Sequence, residues 1–574
     1  MLKQNNDDNQ LRTVAIVFLF ITVAIIVRLF VLQVVEHNYY STFALNTREI
    51  FKQLNPQRGH IYWQDSRTKE EYPAAINRQY YLVYAVPKEI PTTDVTSTSA
   101  KLAQLLNLTT DETKNEILQK LSKLNDPYEP IAKKIDDDTI TKIKEANLLG
   151  IYYTSQEFRF YPENNLGGNI LGFCRIDDNG QTGNYGIEGY WNKILAGKGG
   201  FLSGEKSALG SMISLADNTM VAAENGADIL LTIDRTLEYK ACEALRTEME
   251  KNKAKSAALV MMNPKTGAIL AMCSLPDFNP NSYSKVEDSR AYNNTTVFTP
   301  YEPGSVFKSI TLSMAIDQNL IEPNTTFVDP CTRKVDGFTI HNAEDKCYGT
   351  QTMTGILENS INTGVMWVQE KLGNERFRDY TKHFGFGEKT GLEISNETAG
   401  DISNLDKKGK IYTAVASFGQ GLTVTPIQLA VAYSTIANKG QMMKPYIVEE
   451  IRYTNGKRET TIPKIIDTVI SPRAAKLTTG MMVSVIENGH SKGSRLAHYY
   501  LAGKTGTAQI AGAGGYTNIT NHTFAGFGPA NDPKIVLIIK FEAPERLWAD
   551  STSGVVFKDI MSFALQYYNI PYER

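Results

Sequence analysis

From Thr13 to Val27 the sequence TVAIVFLFITVAIIV carries no charge, and after Arg28 the apolar run resumes as LFVLQVV to Val35. A bilayer-crossing helix needs roughly 20 apolar residues, and the span 11–35 is long enough. A core helix of this composition would have to hide an apolar face all round. A cleaved signal peptide would be followed by a small-residue site, and here the next residues are bulky. The reading is an uncleaved N-terminal anchor over 11–35 behind a tail of residues 1–10. Lys3 and Arg12 precede the apolar run whereas Arg28, Arg48 and Lys52 follow it, so the distribution of basic residues does not settle the topology.

A chain of 574 residues exceeds one ordinary core and implies two or more domains. Its 60 basic and 62 acidic residues nearly cancel, which leaves no electrostatic case for nucleic acid. The five cysteines, Cys174, Cys242, Cys273, Cys331 and Cys347, form no C-x-x-C, and the histidines lack metal-ligand spacing. No metal and no cofactor are expected. Cys331 and Cys347 bracket a short loop; they either pair, as an extracytoplasmic location would allow, or remain two buried thiols.

After the anchor a mixed region runs to residue 225. RGHIYW and YYLVYAVP read as strands, residues 97–146 as short capped helices, and the glycine-dense stretch beyond as loops between short strands. A second domain is expected from residue 226 to 570. There ADILLTI reads as a strand, DRTLEYKACEALRTEMEKN as a capped helix and AALVMMNPKTGAILAMCS as a hairpin. The order of elements predicts an α+β domain, an antiparallel sheet flanked by helices.

Lys-Thr-Gly occurs three times. Lys265–Gly267 sits in a hairpin turn and Lys389–Gly391 in a glycine-punctuated helix exit; both read as solvated turns. The copy in AGKTGTAQI, at Lys504, Thr505 and Gly506, lies within a strand, where glycine admits close approach of a ligand or another backbone. Strand alternation puts Thr505 and Thr507 on one face and Lys504 on the other. Upstream, Ser305 follows Pro303-Gly304 and opens a helix apolar on nearly every side. Lys308 lies three residues on, along the same face, so it can deprotonate the hydroxyl if burial removes its own proton. The other Ser-x-x-Lys sequences (Ser66–Lys69, Ser203–Lys206, Ser282–Lys285) have no buried helix behind them. Between Ser305 and Lys504 stand Ser360 and Asn362, either of which could also serve as a helix cap.

Ser-x-x-Lys, Ser-x-Asn and Lys-Thr-Gly in this order resemble the three signatures of the penicillin-recognising acyl-serine enzymes. YEPGSVFK, LENSINTGVMWV, SFGQGLTVTPIQLA and AGKTGTAQI are similar to blocks of class B penicillin-binding proteins. PQRGHIYWQD, RFYPENNLGGNILGF and YGIEGYWNKILAGKGG resemble boxes of that class's N-terminal pedestal. The resemblance implies a single-pass membrane protein with an elongated pedestal (36–225) and an extracytoplasmic transpeptidase domain (226–570). It implies a monofunctional D,D-transpeptidase that cross-links peptidoglycan stem peptides in division or elongation and is acylated by β-lactams. By the same resemblance Ser305 is the nucleophile and Lys308 its base; Ser360 relays a proton and Asn362 orients lysine and substrate. Lys504 supplies positive charge, Thr505 and Thr507 hold the terminal carboxylate, and Gly506 belongs with them to the substrate-binding set. The oxyanion would meet the N–H groups of Ser305 and Thr507. The class's usual partner is a polytopic glycan polymerase of the shape, elongation, division and sporulation (SEDS) family.

Two departures stand out. ENGHSKGSRLAHYY replaces the usual GTG-like loop before the Lys504 strand, and RGHIYWQDSRTKEEYP lacks the usual Asp-Arg-Asn-Gly turn. Two other activities fit the same residues. One is a carboxypeptidase or β-lactamase-type hydrolase, with Glu370, Glu375 or Glu388 placing water. The other is a non-catalytic scaffold or β-lactam sensor, against which the intact Ser305, Lys308, Ser360 and Lys504 weigh.

Overall fold

The computed structural model describes residues 49–123, 125–177, 180–205, 219–512 and 515–574, with positions 22, 23, 25, 26 and 31. Apart from those five positions, the expected span 11–35 lies outside the described residues. Among the described residues no helix is long and apolar enough to cross a membrane. The chain forms two compact units, residues 1–57 with 197–226 and residues 58–196 with 227–574. In the first, the strands Glu49–Leu54, Gly200–Glu205 and Thr219–Val221 make an antiparallel sheet with the second strand in the middle.

The second unit contains two large sheets. One runs Arg458–Thr460, Val448–Arg452, Asp228–Asp234, Ile61–Gln64, Glu71–Ala85, Glu129–Ile135, and Ile151–Phe160 also pairs with the long Glu71–Ala85 strand. Asp228–Asp234 is parallel to Ile61–Gln64 and antiparallel to Val448–Arg452, so one sheet draws on residues from both sides of position 225. The short helices expected within 97–146 are Val95–Leu105, Asp111–Leu121 and Asp137–Glu145. Thr110 and Asp136 cap the latter two by accepting from Thr113 N and Thr139 N, which satisfies otherwise orphaned N–H groups.

The other sheet has five antiparallel strands in the order Ile269–Leu275, Ser256–Met262, Ile535–Glu542, Gly515–Gly528, Ala502–Gly512. Its central strands are apolar on both faces, because each face is covered by helices. Ala257, Leu259 and Met261 pack in a cluster with Leu237 and Leu245 of the Arg235–Lys251 helix and Phe557 of the Ser553–Tyr567 helix. Val260 and Met262 belong to the cluster of the opposite face, with Val306, Ile310, Ile427 and Val431. The Phe307–Asp317 helix is buried at every position from Phe307 to Ile316, as its all-round apolar sequence requires. Tyr433 donates to the Val306 carbonyl (2.7 Å) and Thr311 to the Ser417 carbonyl (2.8 Å). These bonds lock that helix into the interior and set Ser305 at its opening, where the sheet's edge strand passes.

Candidate active site

Ser305 lies in a single 3-10 turn, Gly304–Val306, that runs directly into the Phe307–Asp317 helix. Gly304 has φ +61°, a left-handed conformation that suits glycine, and its N–H donates to the Gly419 carbonyl at 3.0 Å. One helical turn on, Lys308 is fully buried. Its Nζ donates to the Ser360 carbonyl (2.5 Å) and to Asn362 Oδ1 (2.7 Å), with Ser360 Oγ at 3.2 Å. Ser360 has φ +56°, an uncommon conformation for a residue with a side chain, and Asn362 opens the Asn362–Leu372 helix. Burial first and the charge of Lys504 second hold Lys308 well below the ordinary lysine range.

The donor count shows what this arrangement can do. A neutral amine has two N–H bonds and one lone pair. Carbonyl and amide oxygens only accept, so both N–H bonds are directed to Ser360 O and Asn362 Oδ1. The lone pair is left for a hydroxyl, whose proton it can take.

Lys504 sits on the edge strand Ala502–Gly512 and is 1 % exposed. Burial lowers it to about 7, and its Nζ donates to its own strand at Thr505 O (3.1 Å). Gly506 and Ala508 follow on the same face of the strand. There a Cβ built on Gly506 would stand 2.8 Å from the Pro303 carbonyl oxygen and 3.2 Å from Val306 Cγ1. On this face the close approach is that of another backbone, the Ser305 turn, and glycine is needed for it. Thr505 and Thr507 alternate to the other face. Ser491 Oγ reaches Thr505 Oγ1 at 3.5 Å, and Ala549 N donates to Thr507 Oγ1 at 3.3 Å.

Several groups here carry no sequence signal. In the stretch that departs from the usual loop, Ser491 is buried beside Thr505 and the neighbouring His490 is exposed; partial desolvation and the Lys504 charge lower the His490 pKa. Glu302 accepts from Gly421 N (2.8 Å) and from the Tyr516 hydroxyl (3.2 Å), and burial raises its carboxyl. The carbonyl of His341 accepts from Asn362 Nδ2 at 2.9 Å.

The other two Lys-Thr-Gly copies are turns, as expected. Lys265 pairs with Asp532 beside Gly267 at φ +90°. Thr390 N and Gly391 N donate to the Glu397 carboxylate (2.7 and 3.0 Å). Ser66 of another Ser-x-x-Lys donates to Asp234 Oδ2 (2.5 Å), and Lys69 is exposed. Cys331 and Cys347 are joined in a disulfide, and so are Cys242 and Cys273. The second bridge ties the Arg235–Lys251 helix to the Ile269–Leu275 strand, a pairing that no local spacing betrays.

Two families match the chain: the penicillin binding protein transpeptidase domain over residues 257–562 and the penicillin-binding protein dimerisation domain over residues 53–231. Stage V sporulation protein D of Bacillus subtilis is 32% identical over 499 residues, 86% of this chain and 75% of that protein. Peptidoglycan D,D-transpeptidase FtsI of Escherichia coli is 27% identical over 526 residues, 90% of this chain and 85% of that protein. Among solved structures, penicillin binding protein 3 of Mycobacterium tuberculosis complexed with ampicillin shares the fold at a TM-score of 0.70 and 23% identity, covering 91% of this chain and 97% of that one.

Proposed function

Because the chain belongs to the penicillin-binding protein transpeptidase family, we propose that Ser305, Lys308, Ser360, Asn362 and Lys504 carry its acyl transfer and that Thr505, Gly506 and Thr507 bind substrate. The protein is a peptidoglycan D,D-transpeptidase that cross-links stem peptides through an acyl-serine and binds β-lactams. The observation that supports this choice of residues is the set of Lys308 contacts to Ser360 and Asn362, made by an amine stripped of water.

Ser305 Oγ attacks the carbonyl carbon of the penultimate D-Ala as its proton passes to Lys308 Nζ. The oxyanion is met by the N–H groups of Ser305 and Thr507. The C–N bond breaks, the terminal D-Ala amine takes a proton from Ser360 Oγ while Ser360 takes the one held by Lys308 Nζ, and an ester remains on Ser305. An amine from a neighbouring stem then attacks the ester and gives up a proton to Lys308 Nζ, which passes it to Ser305 Oγ as that oxygen leaves, and the cross-link is a new amide. Lys504 supports the negative charge of the terminal carboxylate, which Thr505 and Thr507 grip by hydrogen bonds.

Labelled penicillin is expected to attach to the full-length protein and to be lost entirely in Ser305→Ala; a label that persists in that variant overturns the assignment. Gly506→Ala would push a methyl group against the Pro303 carbonyl. Overpacking costs about 1–3 kcal/mol, and here it falls on the Ser305 turn. Acylation is expected to slow more than the melting temperature falls, measured by labelling rate beside a thermal scan.

We place the anchor at residues 11–35, the pedestal at 36–225 and the transpeptidase domain at 226–570. Val23, Ile25 and Ile26 are helical and exposed, which suits a lipid surrounding. The two disulfides suit an extracytoplasmic location for the bulk of the chain. A SEDS-family glycan polymerase is the partner this architecture would meet in the membrane.

A further inference from the structure

The amide of Asn362 has two ends of nearly the same shape, one that donates and one that accepts. Its two partners are the His341 carbonyl (2.9 Å) and Lys308 Nζ (2.7 Å). A carbonyl can only accept, so the NH2 end must face His341 and the oxygen must face Lys308. Turned over, the amide would point an N–H at the lysine lone pair and compete with the serine proton for it. The orientation of the active-site amide is thus decided by a backbone carbonyl on a neighbouring hairpin.

That hairpin, Thr332–Val335 with Phe338–His341, is a two-stranded ribbon that packs Val335 and Ile340 on Met366, Ala414 and Phe418 and leaves its other face exposed; such ribbons are marginal alone. Its end is fastened by the side chain of Asn342, which is buried. Asn342 Nδ2 donates to Asp329 Oδ2 (2.9 Å) and to Lys346 O (3.1 Å). Asn342 Oδ1 accepts from Thr363 N (3.1 Å), and the Thr363 hydroxyl, whose single proton goes to Asp329, lies 3.2 Å from it. Asp329, also buried, accepts in addition from Thr363 Oγ1 (2.6 Å), Cys331 N (3.0 Å) and Tyr348 N (2.9 Å). One carboxylate and one amide therefore join three things: the base of the Cys331–Cys347 loop, the hairpin end that carries the His341 carbonyl, and the residue after Asn362.

We propose that Asn342, held by Asp329 and Thr363, is a positioning residue of the acyl-transfer site, because it fixes the carbonyl that keeps the oxygen of Asn362 turned toward Lys308. The inference rests on the reading of Lys308 as the base. Loss of the staple frees the amide to rotate. The neutral amine then gains a donor on its lone pair and the ammonium loses an acceptor, so the step slows while Lys308 becomes a weaker base. The charged neighbour that faces Lys308 is Lys504. On the hairpin itself His341 pairs with Asp345, and Lys346 with Glu344, all in exposed positions.

The test is single-turnover acylation of the full-length protein by labelled penicillin, with the acylation step separated from initial binding and followed across pH. Thr363→Val keeps the shape and the N–H to Asn342 but removes the hydroxyl. It is expected to slow the acylation step about tenfold, the net worth of one or two hydrogen bonds, to leave initial binding unchanged, and to move the acid limb of the profile to lower pH. Thr363→Ser is expected to restore both. Asn342→Asp, which cannot donate to Asp329, is expected to repeat the valine result with a larger fall. A parent rate and profile in Thr363→Val overturns the proposal. So does a fall that matches a smaller labelled fraction with the limb unmoved, since that marks a merely structural loss. Failure of the parent chain to label would overturn instead the acyl-serine reading beneath it.

Discussion

Lys308→Met is expected to slow acylation by labelled penicillin about 10²–10⁴-fold, the range that a positioned general base supplies. Methionine fits the unbranched channel that Lys308 fills, so the change removes the amine and little of the packing. What is lost is the lone pair whose direction the two acceptors determine, Ser360 O at 2.5 Å and Asn362 Oδ1 at 2.7 Å. Those acceptors are left unpaired, at about 1–3 kcal/mol, while the cost of burying an amine disappears. The melting temperature should therefore change modestly as activity collapses. Lys308→Arg should be equally inactive, because a guanidinium does not give up its proton in a protein. A Met variant that labels at more than a tenth of the parent rate would assign the base elsewhere, with Lys504 the next candidate.

Glu188→Gln is expected to lower the stability of the second compact unit by about 3–5 kcal/mol, the cost of removing one partner from a buried ion pair. Glu188 is fully buried. Its Oε2 accepts from Arg58 Nε (2.8 Å) and the Cys174 thiol (3.2 Å), its Oε1 from Arg159 Nε (2.6 Å) and Tyr161 Oη (3.3 Å). Burial alone would raise this carboxyl, but the Arg159 and Arg58 guanidiniums outweigh it and hold it at about 2. A folded value below the ordinary carboxylate value stabilises the fold above that value, and the contribution disappears as pH falls through the folded one. The parent should therefore lose stability between about pH 4 and pH 2, and the Gln variant should lose less over that window. Urea midpoints at pH 7, 4 and 2.5 measure both effects; equal midpoints at pH 7 would refute the claim.

The legible part of the site was short-range. Ser305 and Lys308 are one helical turn apart, and a helix apolar all round must be buried, so a dehydrated lysine beside a serine follows from the residues themselves. Strand alternation likewise separates Lys504 from Thr505 and Thr507. The glycines of AGKTGTAQI announce a close approach, but which neighbour approaches depends on the face. Gly506 shares a face with Lys504, and that face receives the Pro303–Val306 turn.

What the sequence by itself determined is thus the local pattern: the order Ser305, Ser360, Lys504, the apolar helix behind the serine, and the α+β alternation that packs helices on both sides of a sheet. These depend on neighbours a few residues apart, where side-chain type and backbone period decide the outcome. Only the tertiary structure decided the partners. Arg58, Arg159 and Glu188 lie in three separate boxes, and nothing local says that one buried carboxylate joins them. Cys242 and Cys273 meet because a helix crosses a strand. The His341 carbonyl orients Asn362, yet every residue has a carbonyl, so its role comes from where the chain places it and from no letter in the sequence.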